Sequence, residues 1–475
     1  MRLSASTAAA LLLLIPRPGS AQEPLPITRL TVYPPLLEGA LRTSPDLLRL
    51  RALAEAERAR VPQAGALPDP ELSLGVQRRA AMDVVVPNPA MPDMPLMGAT
   101  PIGTEFSLMA TQAFPWPGKR KGRTELAQAG LARTEADLQR ARMDVEAQLQ
   151  EGLAALLRIR AERALLADQD GLWEEAEALA RQCCELGTGT QADLLQAMMA
   201  RARLAQRKLE LEAQEDLQRE ALNRLAGRPA EAGLELPESL EGLPRPAAPV
   251  LAEARSDARR RSPELALGAH DLTASTHALA LGRMDLRPDL RVTAGAMKEP
   301  GMGTGWKAEV GLALPLFSAR KQGQAVSMRQ AEVGAVRAAQ AGLELSLEQS
   351  LAERLRTWTL SERQLKLYDE ALLPQGELAL RSLLGQYEAG RTSFQSVLDA
   401  LNGRLKDRQA RLEAVARIHG TAIAQQWVAL GRSSLATEGP EGAMSSTPRP
   451  AAVRGSAPSA AAAAVPAAKT SSMSM

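Results

Sequence analysis

Groups that carry chemistry are scarce in this chain. Its 475 residues include three histidines, two cysteines and only 3% aromatics. So few imidazoles form no Ser/His/Asp or Cys/His grouping, which argues against hydrolysis. His270 and His277 share a helical face, but seven positions is about 10 Å along the axis, too far for one metal ion. The cysteines are the adjacent pair Cys183 and Cys184. Neighbouring helical positions point different ways, so they read as two small helical residues rather than a soft-metal site. No catalytic residue, cofactor or metal site is expected. Net charge is nearly absent: 57 basic and 55 acidic residues leave +2, which gives no support for nucleic acid as a partner. No apolar run beyond the N-terminus is long enough for a transmembrane helix. Proline, 32 in all, is missing entirely between Gly118 and Gly227.

That proline-free stretch organises the chain. Apolar residues step by seven through Leu131, Leu138, Val145, Ile159, Leu166 and Trp173, with Gly152 in the gap. Leu149, Leu153 and Leu156 widen the stripe, and strong helix formers fill the rest. The run breaks at Leu186-Gly187-Thr188-Gly189-Thr190 and resumes at Asp193-Leu194-Leu195. Glycines beside hydroxyl residues end one helix and cap the next, so the spacing predicts a helical hairpin. Arms of roughly 50 to 100 Å need partners along their whole length, which a coiled-coil assembly supplies.

Residues 1–21 read as an export signal. Arg2 gives the charge, Ala8 to Ile15 a short apolar core, and Gly19-Ser20-Ala21 a cleavage site before Gln22. No cysteine follows, so a lipoprotein anchor is not expected. One helix is expected from Pro35 to about Arg60. A strand alternates from Glu71 to Gln77, with Leu72, Leu74 and Val76 on one face. A loop rich in Met and Pro (Met82, Met91, Met94, Met97) runs to about Gly103; its thioethers could touch Cu(I), but a surface loop is the preferred reading. A second strand, 104–114, leads into the hairpin at 118–226, and a linker follows at 227–247.

The programme then repeats. Arg261-Ser262-Pro263-Glu264-Leu265 echoes Thr43-Ser44-Pro45-Asp46-Leu47, and Arg287-Pro288-Asp289-Leu290 echoes Leu67-Pro68-Asp69-Pro70. Strands are expected at 289–297 and 306–316, joined by the glycine loop Gly301 to Gly305. A second hairpin, 318–430, follows; Leu343, Leu347, Leu351, Leu355 and Trp358 form its buried stripe, and Pro374 should kink it. Its tip, with Gly390, aligns with the first at Gly187. Residues 22–247 and 248–432 are thus two copies of one unit. The Ala/Ser/Pro-rich segment 433–475 is expected to be disordered.

Four strands with one apolar face would leave open edges in lipid, where only closed barrels or helices are tolerated. About ten residues suits a tilted transmembrane strand. Closure therefore requires several copies, with Glu71, Gln77, Arg291, Lys307 and Glu309 facing a water-filled lumen. The fold class is a mixed α/β membrane protein: long antiparallel α-helical coiled-coil hairpins plus strands of a shared β-barrel. A soluble half-buried sheet is the plain alternative.

The duplicated layout, Phe114-Pro115-Trp116-Pro117-Gly118-Lys119, Pro315-Leu316-Phe317 and the two glycine tips followed by Asp193-Leu194-Leu195 and Ser396-Val397-Leu398 are specific together. From about Pro35 to Gly431 the chain resembles the TolC-like outer-membrane factor family, exit ducts of tripartite efflux and type I secretion systems. The Phe-Pro-Trp-Pro-Gly-Lys form resembles its heavy-metal branch most. The resemblance implies a homotrimer with a twelve-stranded barrel in outer-membrane lipid and a helical barrel in the periplasm. It also implies a periplasmic adaptor and an inner-membrane pump of the resistance-nodulation-division type as partners. By the same alignment the tips dock the adaptor: Gly187, Thr188, Gly189, Thr190, Leu194 and Leu195 on one, Gly390, Arg391, Thr392, Ser393, Val397 and Leu398 on the other. Asp193 and Tyr387 fall on positions that bond across the closed pore. Asp399 falls on one of two carboxylates ringing the constriction, while Ser396 takes the other place and weakens that ring. Arg391 sits one place before the family's tip arginine. For each, a solvated helix-cap residue is the bland alternative.

Competing functions are a multidrug or type I secretion duct, a periplasmic adaptor, and a secreted enzyme. An adaptor would carry one hairpin flanked by small β domains, whereas two hairpins and paired strands stand here; the enzyme lacks a site.

Overall fold

The computed structural model describes residues 25–78, 83–86, 96–99, 104–299 and 303–428. All belong to the unit Met1–Leu435, and a second unit, Ala436–Met475, lies outside them. The expected signal segment 1–21 and tail 433–475 also lie outside the described residues, as do Met82, Met91 and Met94.

The chain opens with α1 (Tyr33–Thr43) and α2 (Pro45–Gly65). The one helix expected from Pro35 is therefore two, because a residue before proline is pushed out of the helical region; Ser44 has ψ 117°. The second half repeats the device in α5 (Leu251–Arg261) and α6 (Pro263–Met284), broken at Ser262, also at ψ 118°. The duplication extends to the placement of a proline at the first helical position.

Between these helices and the hairpins lies a four-stranded antiparallel sheet, β1 (Glu71–Arg78), β4 (Thr104–Phe114), β5 (Asp289–Glu299) and β6 (Gly303–Ala313), in the order β1-β4-β5-β6. Within the chain β1 and β6 are edges. The last strand was expected at 306–316 but lies three residues earlier, stopping before Pro315, which has no N–H to offer a ladder. Gly303, Thr304 and Gly305 belong to that strand instead of a loop. The Met-rich connection also holds a small hairpin, β2 (Asp83–Val86) with β3 (Leu96–Ala99), where a plain loop was expected.

The first hairpin is α3 (Lys119–Glu185) and α4 (Gln191–Leu225). At 67 residues α3 is about 100 Å long. Its seven-residue seam is buried from Val145 through Ile159, Leu166 and Trp173 and runs on to Ala180. Gly152 fills the gap for a reason of space: a Cβ there would lie 2.7 Å from Leu222 Cδ2 on α4. Buried carboxylates lace the arms. Glu215 takes Arg160 at 2.7 Å and Arg163 at 2.8 Å, and Glu162 takes Arg207 at 2.9 Å. The linker after α4 is packed rather than loose: Leu234 and Leu240 enter the core beside Leu153 and Leu157, and Asn223 donates to the carbonyls of Ala230 and Ala232.

The second hairpin is α7 (Gln322–Leu367), α8 (Leu373–Glu388) and α9 (Phe394–Trp427). Of the expected α7 stripe, Leu347, Leu351 and Trp358 are buried; Leu343 and Leu355 are half-buried. The disturbance expected at Pro374 takes the form of a π turn over Tyr368–Leu372 immediately before it. A widened turn accommodates the proline ring and its missing donor without ending the rod. Helix α3 packs against α4 and α9, α9 packs against α7 and α8, and α6 packs against both α3 and α7.

Candidate functional site

The sheet has two unlike faces, and the register fixes which residue lies on which. Leu72 pairs with Ala110, Leu74 with Leu108 and Val76 with Phe106. Leu290 pairs with Leu312, Val292 with Val310 and Ala296 with Trp306. These residues share one face, and most of them are exposed: Leu74 is 87% exposed and Trp306 82%. Phe106 and Trp306 stand toward one end of that face; Phe114 ends β4 at the other, next to Trp116. The eight steps from Phe106 to Phe114 span about 27 Å along the strand, or about 21 Å of height at the usual barrel tilt, near the apolar band of roughly 25 Å that aromatic girdles edge.

The other face is polar. Glu71 pairs with Thr111, Thr111 with Thr293 and Thr293 with Glu309, a single row across all four strands. The hydroxyls of Thr111 and Thr293 are 3.0 Å apart, and Lys307 Nζ pairs with Glu309 at 3.0 Å. Gln77 and Arg291 lie on this face too. The structure thus brings Glu71, Gln77, Arg291, Lys307 and Glu309 to one side of one sheet. It adds Glu105, buried and opposite Gln77, which sequence reasoning missed because the alternation of β4 is blurred by Met109 and Ala113.

Sheet and hairpin meet at Lys119, the first residue of α3 and almost fully buried. Its ammonium donates to Asp289 Oδ1 at 2.9 Å and to the carbonyl of Arg287 at 3.0 Å. The same Asp289 oxygen accepts from the Trp116 amide at 2.8 Å. One carboxylate at the start of β5 therefore fixes both the end of the Phe114–Lys119 motif and the start of the helix beyond it.

At the far end of the hairpins the two tips come together. Gly187 and Gly390 have φ of 77° and 67°, the left-handed conformation that ends a helix and favours glycine. Thr190 and Asp193 form a reciprocal capping box that starts α4. Asp193 Oδ2 accepts from the Thr190 amide at 3.1 Å and from the Tyr387 hydroxyl at 3.4 Å. The Tyr387 ring packs on Phe394 with centroids 5.1 Å apart. Burial, then the negative charge of Asp193, pushes the Tyr387 phenol up to about 12. The expected pair is therefore in place, between the two hairpins of one chain.

Other tip residues fare differently. Asp399 is exposed and accepts from Gln395 at 2.9 Å, and the Ser396 hydroxyl lies 3.1 Å from that of Ser393. Neither is brought to the Asp193–Tyr387 contact. Val397 and Leu398 were expected on a docking surface, but they are buried with Phe394, Leu401 and Tyr387; the core between the tips needs them. The surface left open carries Thr188, Thr190, Leu195, Gly390, Arg391 and Ser393, with Gly189, Leu194 and Thr392 half-exposed. Leu186, Met198 and Met199 are also exposed; Met198 and Met199, three and four positions after Leu195, were missed because they continue a helical stripe that reads as core. Cys183 is buried under the tip and Cys184 half-buried, both as free thiols. His277 meets Glu125 at 3.6 Å. Among the described residues no group of three or more His, Cys, Asp or Glu could hold a metal ion, and no helix is long and apolar enough to cross a membrane.

Residues 36–228 match the family model described as outer membrane efflux protein. That match marks the first half of the chain as similar to the outer membrane efflux proteins. Solved outer-membrane channels share the fold over 83% of the chain. The outer-membrane channel OprN superposes with a TM-score of 0.66 at 18% identity, over 83% of this chain and 88% of that one. VceC from Vibrio cholerae gives 0.65 at 18%, over 83% and 95%. CusC gives 0.64 at 15%, over 83% and 91%. In sequence, the cobalt-zinc-cadmium resistance protein CzcC from Cupriavidus metallidurans is 29% identical over 290 residues, 60% of this chain and 67% of that protein.

Proposed function

We propose that the chain is the exit duct of a tripartite efflux system for heavy-metal cations and works as a homotrimer. The observation that carries the reading is the sheet, apolar and exposed on one face, polar on the other, with both edges unpaired. Lipid does not tolerate such edges, and three copies of a four-stranded sheet close twelve strands around the polar face. Glu71, Gln77, Glu105, Arg291, Lys307 and Glu309 then line the lumen. The exposed tip residues, led by Leu195, Arg391 and Ser393, meet a periplasmic adaptor, which joins the duct to an inner-membrane pump. The contact between Asp193 and Tyr387 holds each tip closed. Conduction is passive, so selectivity comes from the pump.

The metal cargo is supported by the similarity to CzcC and by the Phe-Pro-Trp-Pro-Gly-Lys motif. Deleting the gene should sensitise cells to cobalt, zinc, cadmium, copper or silver more than to dyes and detergents, measured as growth inhibition and restored by the intact gene. Greater sensitivity to dyes and detergents would move the channel to the multidrug branch.

A further inference from the structure

The two glycines of the first tip stand in different surroundings. Gly187 has φ 77° and no atom within 4 Å of where a Cβ would lie, so its conformation is what requires glycine. Gly189 has ordinary backbone angles and almost no room. A Cβ there would lie 3.0 Å from the Tyr387 hydroxyl and 3.0 Å from Cys183 Cβ.

Neither side can give way easily. The Gly189 amide donates to the Cys183 carbonyl at 2.9 Å, as does the Thr188 amide, so the loop is tied down on the end of α3. The Tyr387 ring is only 5% exposed and is backed by Phe394 at 5.1 Å. Its hydroxyl reaches Asp193 at 3.4 Å, close to the limit for a hydrogen bond. A shift of a few tenths of an ångström breaks that contact.

We propose that Gly189 is a positioning residue of the gate: the missing side chain is the space through which the Tyr387 hydroxyl reaches Asp193. A methyl group at 189 drives the hydroxyl off the carboxylate and leaves the closed tip unlatched. The inference rests on the reading of Asp193 and Tyr387 as the latch, and it adds a residue whose exposed-loop position suggested only docking.

The test is single-channel conductance of the full-length trimer in planar bilayers, for the wild type, Gly189→Ala, Tyr387→Phe and the double variant. Gly189→Ala should raise conductance by the same factor as Tyr387→Phe. The double variant should conduct no more than Tyr387→Phe alone, because the hydroxyl that the methyl displaces is already gone. If Tyr387→Phe conducts more than wild type and Gly189→Ala does not, the latch stands and the role of Gly189 is overturned. If the double variant exceeds Tyr387→Phe, the methyl acts by loosening the loop and the proposal is again overturned. If Tyr387→Phe equals wild type, the latch itself fails and the inference falls with it. Should Gly189→Ala give little trimer, Tyr387→Phe should restore the yield, and failure to restore it would overturn the proposal.

Discussion

Single residues in this protein show what a buried polar atom costs. His419 on α9 is 3% exposed, and its Nε2 has no hydrogen-bond partner among the described residues. Burial, then the nearby charge of Arg245, pushes its imidazole down to about 4 from the ordinary 6.5. The folded state therefore refuses a proton that the unfolded chain accepts between those values. Above pH 6.5 the residue exacts no penalty; as pH falls from 6.5 toward 4 stability drops, and below 4 the loss is complete. At pH 5 the loss is on the order of 2 kcal/mol per protomer. The trimer in detergent should melt at a lower temperature at pH 5 than at pH 7, and His419→Phe should remove that part of the difference. An equal acid effect in the variant would show that other groups carry it. None of this was legible beforehand, since one histidine in an apolar stripe reads as any core residue. The Asp193–Tyr387 contact was legible only through the family resemblance, because its distance of 3.4 Å joins residues 194 positions apart.

Among the elements, α3 was the most readable and also holds the strictest packing. Its seven-residue seam predicted the buried face because a rod this long has to present the same stripe to its partners over many turns. Gly152 looked like a missed heptad position, and only the structure shows Leu222 occupying the space. Gly152→Ala should raise helix propensity yet destabilise the hairpin by about 1–3 kcal/mol through overpacking. Thermal melts of the trimer would show it, and the double variant with Leu222→Ala should lose less than the two single changes added together, because the methyl then fills space the leucine left. A stabilised Gly152→Ala would mean that helix propensity outweighs the clash. Elements without periodicity were the ones misread. The β2–β3 hairpin has only four residues per strand, too short to reveal alternation, and the π turn before Pro374 leaves no trace in residue spacing. The packing of the linker depends on Leu234 and Leu240 meeting residues far away in sequence.

Across the whole molecule, one chain cannot satisfy its own sheet. Among the described residues β1 and β6 are each paired on one side only, and most of the apolar face between them is exposed. The internal duplication explains the economy: each half supplies two strands and one hairpin, and in the proposed trimer further copies supply the rest. Everything proposed for lumen, gate and docking depends on that closure. The most direct measurement is the mass of the protein extracted from the outer-membrane fraction in mild detergent, by light scattering on a sizing column. The account predicts a monodisperse trimer that needs detergent to remain soluble. A monodisperse monomer, soluble in water after mild extraction, would contradict it.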